Sequence, residues 1–112
     1  IVEAVPAGNA VTLPQWGLTL DCTGPIPADI RRVGIRAHYV TAVPEGTPGA
    51  FRCTVERVIQ DVFTAIVLLR PEQAAPDAPP LRMELEREAW RQLNRPEELW
   101  IAVQPRDLLL LR

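Results

Sequence analysis

Serine and lysine are both absent from this 112-residue chain. Their absence excludes a serine nucleophile, a Schiff-base lysine and the lysine of a phosphate-cradling P-loop. All twelve basic residues are therefore arginine. Histidine occurs once, as His38, with no cysteine or carboxylate beside it in sequence; it reads as a surface residue at a strand end. The six glycines form no glycine-rich phosphate loop. Cys22 and Cys53 match neither a secreted disulfide framework nor zinc-ligand spacing. Both fall on the apolar phase of expected strands, so both are expected to be buried free thiols. No apolar run approaches the roughly 18 residues of a membrane span, and no signal peptide is expected. The carboxylate pairs Glu84/Glu86 and Glu97/Glu98 read as solvated charges at a helix start. With these types missing, the chain is expected to be no enzyme and to hold no cofactor or metal.

Charge of one sign is also scarce. The net charge is −2, shared evenly between the two halves, and no basic or acidic tail stands out. Binding single-stranded nucleic acid needs a cationic groove with stacking aromatics. Only six aromatics are present, and Trp16, Trp90 and Trp100 are dispersed, as core-edge packing would place them. Nucleic acid is therefore not an expected partner, although a nucleic-acid-binding barrel remains an alternative.

What the chain does have is a 47% apolar composition, enough for a core without disulfide or metal staples. Twelve prolines punctuate it. The stretches between them alternate with period two, the mark of half-buried strands. Leu18, Leu20 and Cys22 form one such set; Val33, Ile35 and Ala37 a second; Leu81, Met83 and Leu85 a third; Leu99, Ile101 and Val103 a fourth. In 51–60 the apolar phase slips at Arg57–Val58, which predicts a bulge or a barrel corner. The run from Val62 to Leu69 is apolar on both phases and predicts a central strand covered on both faces.

One short helix is expected near residues 85–94, with Leu85, Ala89, Leu93 and Trp90 on its apolar side and Asn94 and Pro96 as stop signals. It is too short to hold alone and must pack on the sheet. Pro71–Pro80 reads as an extended loop, and Pro44–Gly49 as another. A faint internal repeat aligns Val33-Gly-Ile-Arg-Ala-His-Tyr-Val40 with Ile101-Ala-Val-Gln-Pro-Arg-Asp-Leu108. Two related β lobes, 1–43 and 51–112, would produce it; whether they are separate barrels or share strands is left open by the sequence.

The block from Val33 to Val40 resembles the Val-Gly-Ile-Arg-Pro-Glu-Asp signature of TOBE domains, the transport-associated OB-fold domains that follow the ATPase domain of importers for molybdate, sulfate, polyamines and sugars. Val2-Glu-Ala and Gly17-Leu-Thr-Leu20 are similar to the strands before that signature. Phe51–Val58 is similar to the strand opening the second lobe, and Leu99–Leu111 to the closing strands. Ala37, His38 and Tyr39 replace Pro-Glu-Asp. Gly49-Ala-Phe-Arg52 stands where molybdate-binding relatives carry Ser-Ala-Arg-Asn and keeps only the alanine.

The expectation is thus a mainly β, OB-like barrel, residues 1–112 forming one TOBE-like domain of interleaved lobes. The resemblance implies an accessory or regulatory domain of an ABC-importer ATP-binding subunit, on the cytoplasmic face of the inner membrane. Its implied partners are an upstream nucleotide-binding domain, a second copy through the parent ATPase, and a small oxyanion or a regulatory protein. The start at Ile-Val-Glu rather than methionine fits an excised piece of a longer chain. A stand-alone oxyanion binder is the alternative, and Arg36, Arg52 and Arg57, on or near strand ends, are the candidate anion or partner contacts.

Overall fold

The computed structural model describes residues 2–22, 24–94, 96–104 and 107–111. It is mainly β. In chain order the strands are β1 (Val2–Glu3), β2 (Val5–Ala7), β3 (Ala10–Leu13), β4 (Leu18–Asp21), β5 (Arg32–Ile35), β6 (Val40–Val43), β7 (Phe51–Gln60), β8 (Thr64–Pro71), β9 (Leu81–Glu86), β10 (Glu98–Val103) and β11 (Leu108–Leu111). A 3-10 turn, Ala37–Tyr39, joins β5 to β6, and one helix, α1 (Arg87–Gln92), follows β9. Among the described residues no helix is long and apolar enough to cross a membrane.

The strands form three sheets, ordered β1-β5-β11, β2-β3-β4 and β6-β10-β7-β8-β9. Alternation builds them: Leu18 and Leu20 of β4, Leu81 and Met83 of β9, and Leu99, Ile101 and Val103 of β10 are buried, while the residues between them are exposed or half-buried. The five-stranded sheet curls until its edges, β6 and β9, come into contact, with the 3-10 turn also against β9. No ladder joins those edges, so the expected barrel is left with an open seam among the described residues.

The ladders cross the boundary expected between residues 43 and 51. β6, from the first part, pairs with β10; β11, from the second, pairs with β5. Strands are therefore shared. The registers are also equivalent under the internal repeat. The alignment that sets Val33 on Ile101 carries Ile35↔Leu108 onto Val103↔Val40, Gly34↔Leu109 onto Ala102↔Thr41, Val33↔Leu110 onto Ile101↔Ala42, and Arg32↔Leu111 onto Trp100↔Val43. Two strand-turn-strand units thus cross in equivalent register.

The phase slip in β7 is a bulge: the register with β8 shifts between Val55 and Arg57. Two expectations need correction. The helix is only Arg87–Gln92, and Leu85 and Glu86 belong to β9. Trp90 is its one buried residue and Ala89 is exposed, while Leu85 and Leu93, on either side of the helix, pack half-buried against the core. The Val62–Leu69 stretch is not covered on both faces. Ala65, Val67 and Leu69 are buried, Ile66 and Leu68 are half-buried, and Val62 and Phe63 form the exposed tip of the β7–β8 hairpin.

The 72–80 loop is fixed against the β3–β4 turn. Ala75 N–H donates to Gln15 O at 2.8 Å, and Trp16 Nε1–H donates to Pro79 O at 2.7 Å. Gly17 sits at φ +64°, and a Cβ there would lie 2.3 Å from Gln73 O. Only glycine satisfies both conditions.

Candidate functional site

The block that carries the family resemblance occupies β5, the 3-10 turn and the start of β6, where the chain passes from one sheet to another. Arg36 follows β5 and caps the 3-10 turn, and its carbonyl accepts the N–H of Tyr39 at 3.0 Å. Its side chain is exposed. The rings of His38 and Tyr39 lie 4.2 Å apart between centroids, tilted by 42°. His38 is exposed, as expected of a surface residue.

Two clefts flank this turn, and β9 forms a wall of both. One, about 410 Å³, includes Trp16, Ile35, Ala37, Pro79 and Pro80. The other, about 460 Å³, lies at the open seam and includes His38, Thr41, Met83, Leu85 and Leu93. Glu84 lines both. The sequence placed Glu84 and Glu86 at a helix start. Glu84 instead lies on β9, while Glu86 both ends β9 and is the N-cap of α1, because the strand runs directly into the helix with no intervening turn.

The three candidate arginines occupy separate positions. Arg52 lies on β7 and is ion-paired with Glu98 of β10. That hydrogen bond, then the charge of Glu98, pushes the guanidinium's pKa up. Arg57 lies beyond the bulge on the same strand, roughly 15 Å away at about 3.3 Å per residue, and lines a cleft with Glu56, Glu97 and Trp90. Arg36 belongs to the turn against β9. An anion at Arg52 would compete with Glu98, and one at Arg57 would meet two carboxylates.

Neither cysteine is disulfide-bonded. Cys53 is fully buried, and burial pushes its thiol up to about 12, which keeps it protonated and unreactive. Cys22 is only half-buried, and burial followed by the charge of Asp21 raises its thiol too. Among the described residues no group of three or more His, Cys, Asp or Glu is placed to hold a metal ion. What the clefts offer is apolar wall with scattered single charges, suited to seating a side chain or a small partly apolar molecule.

No family model and no curated protein sequence matches the chain.

Proposed function

We propose that the chain is the accessory domain of an ABC-importer ATP-binding subunit, a TOBE-like module that supports pairing of two subunits and carries no catalytic step of its own. The observation that carries this reading is the crossing of the two equivalent strand-turn-strand units. The signature-like block is one of them, and it sits at the hinge between sheets rather than on a peripheral hairpin. A duplicated, strand-exchanging β unit of this kind suits a module that receives a contact and passes it to a neighbouring domain. An effector works through it only by binding one arrangement of the ATPase better than the other.

The test is removal of the domain from the full-length subunit. Basal ATP hydrolysis is expected to survive, and its response to substrate or effector to disappear. An unchanged response would sink the regulatory part of the proposal.

A stand-alone oxyanion binder is the second reading; Arg57 carries no ion pair among the described residues and lines a cleft, although Glu56 and Glu97 in the same cleft oppose an anion there. Calorimetric titration with molybdate, tungstate and sulfate decides it. Heat that disappears in Arg57→Ala supports it, and no heat with any of the three removes it.

A further inference from the structure

The outer face of the β7–β8–β9 portion has a graded pattern that the fold does not use. Strand register sets Arg57, Leu68 and Arg82 in one row across the three strands, and Ile59, Ile66 and Glu84 in the next. A third row continues with Thr64 and Glu86. One end of the face is therefore cationic, the other acidic, and the middle is aliphatic. Ile59 is 44% exposed, with Ile66 and Leu68 half-buried beside it. Among the described residues, Arg57, Arg82, Glu84 and Glu86 form no ion pair within the chain.

Two further features adjoin this face. Beyond the acidic row is the hairpin tip, where Val62 is 67% exposed and Phe63 81%. Two-residue hairpin loops ordinarily carry Asn, Asp or Gly. Here the turn is set by Asp61, whose N–H donates to Thr64 O at 2.8 Å and whose carboxylate accepts the N–H of Val62 at 2.7 Å. The turn does not need the two apolar side chains. Along the β9 side of the face opens the 410 Å³ cleft walled by Trp16, Ile35, Pro79 and Pro80, which Ile66, Arg82 and Glu84 of the face also line. A knob thus stands at one end of the face and a socket along its β9 side.

We propose that two copies of the chain pair through this face, about a two-fold axis perpendicular to its strands. Arg82 of each copy then lies opposite the partner's Glu84, Leu68 packs against the partner's Ile66, and the Phe63 tip reaches the Pro79–Pro80 cleft of the other copy. A surface that is its own complement makes a closed, isologous pair. An axis along the strands would instead stack acidic row on acidic row, so the charge pattern selects the first geometry. The exposed charges set the register and reject the wrong one, while the aliphatic centre and Phe63 supply the affinity. Three strands give a patch smaller than the ~800 Å² per partner of a standard interface, so the isolated pair is weak. The proposal rests on the self-pairing half of the function proposed above and names its surface; it does not need the transporter half.

Sedimentation equilibrium up to about 1 mM chain tests it, a range suited to a pair weaker than standard interfaces give. Arg82→Glu and Glu84→Arg should each weaken dimerisation by about tenfold or more. An equimolar mixture of the two should recover a heterodimer, because every contact becomes complementary again. Phe63→Ser should also weaken the pair. All three side chains are exposed, and circular dichroism confirms that each variant folds. Dimers that ignore these substitutions would place pairing on another surface, overturning this assignment while leaving the pairing itself. A chain that stays monomeric at about 1 mM overturns both. Variants that weaken singly but fail to recover when mixed overturn the geometry.

Discussion

Leu108 lies directly opposite Ile35, as Val103 lies opposite Val40 in the neighbouring sheet. Each sheet therefore depends on a strand delivered by the other part of the chain. The two should unfold as one cooperative unit. Leu108 is buried, and truncating such a leucine to alanine costs about 2–5 kcal/mol. Leu108→Ala is expected to lower the unfolding free energy by that amount, moving the urea midpoint down in a single transition. Hydrogen exchange should speed up in β10 as well as in β5. Loss of protection confined to β5 would mean that the sheets are independent.

Gly17 is held by two constraints at once, a positive φ and the carbonyl of Gln73. Gly17→Ala meets backbone rather than a flexible side chain, so the 72–80 loop has to move. The expected loss is about 1–3 kcal/mol from left-handed strain and displaced packing. Thermal denaturation checks it. At Gly46, where a Cβ would meet nothing within 4 Å despite φ +88°, the same substitution should cost less.

Trp16 ties the same two segments through its indole N–H. Trp16→Phe keeps most of the ring and leaves Pro79 O without that donor, so a loss of about 1 kcal/mol is expected. Equality with the wild type in chemical denaturation would mean that the bond contributes nothing.

Cys53 makes a pH prediction with a definite sign. Burial raises its thiol from 9.0 to about 12. Between those values the unfolded chain has released the proton and the folded chain has not. The unfolded state then binds fewer protons, and stability falls as pH rises through that window. Cys53→Ala removes this component, so its stability should decline less steeply than the wild type's above pH 9. In the native state at pH 8, iodoacetamide should leave Cys53 unmodified; rapid native labelling there would contradict its burial.

Much of this fold was legible because side-chain phase is a local property. The slip at Arg57–Val58 announced the bulge, and period-two runs announced β4, β5, β9 and β10. The misreadings arose where local signals were silent or doubled. Leu85 fits the apolar phase of β9 and also a helical stripe with Ala89, and only the partner strand decides; its register places Leu85 opposite Ala65. Val62 and Phe63 have strong strand propensity and no Gly or Asn beside them, so the turn was invisible. Pairing of β5 with β11 is a long-range choice that no window of sequence contains. The aligned blocks at Val33 and Ile101 hinted at two equivalent units but not that they cross. In the sequence, only side-chain chemistry points to the three arginines. Glu98 in front of Arg52 becomes visible only when β7 and β10 are side by side.

We propose that this domain belongs to an ABC-type ATPase subunit. The most direct measurement is to sequence the gene upstream of the Ile1 codon and translate the open frame. The account predicts an in-frame ATPase domain there, with its P-loop. A start codon just before Ile1, or an upstream domain of another kind, would contradict it.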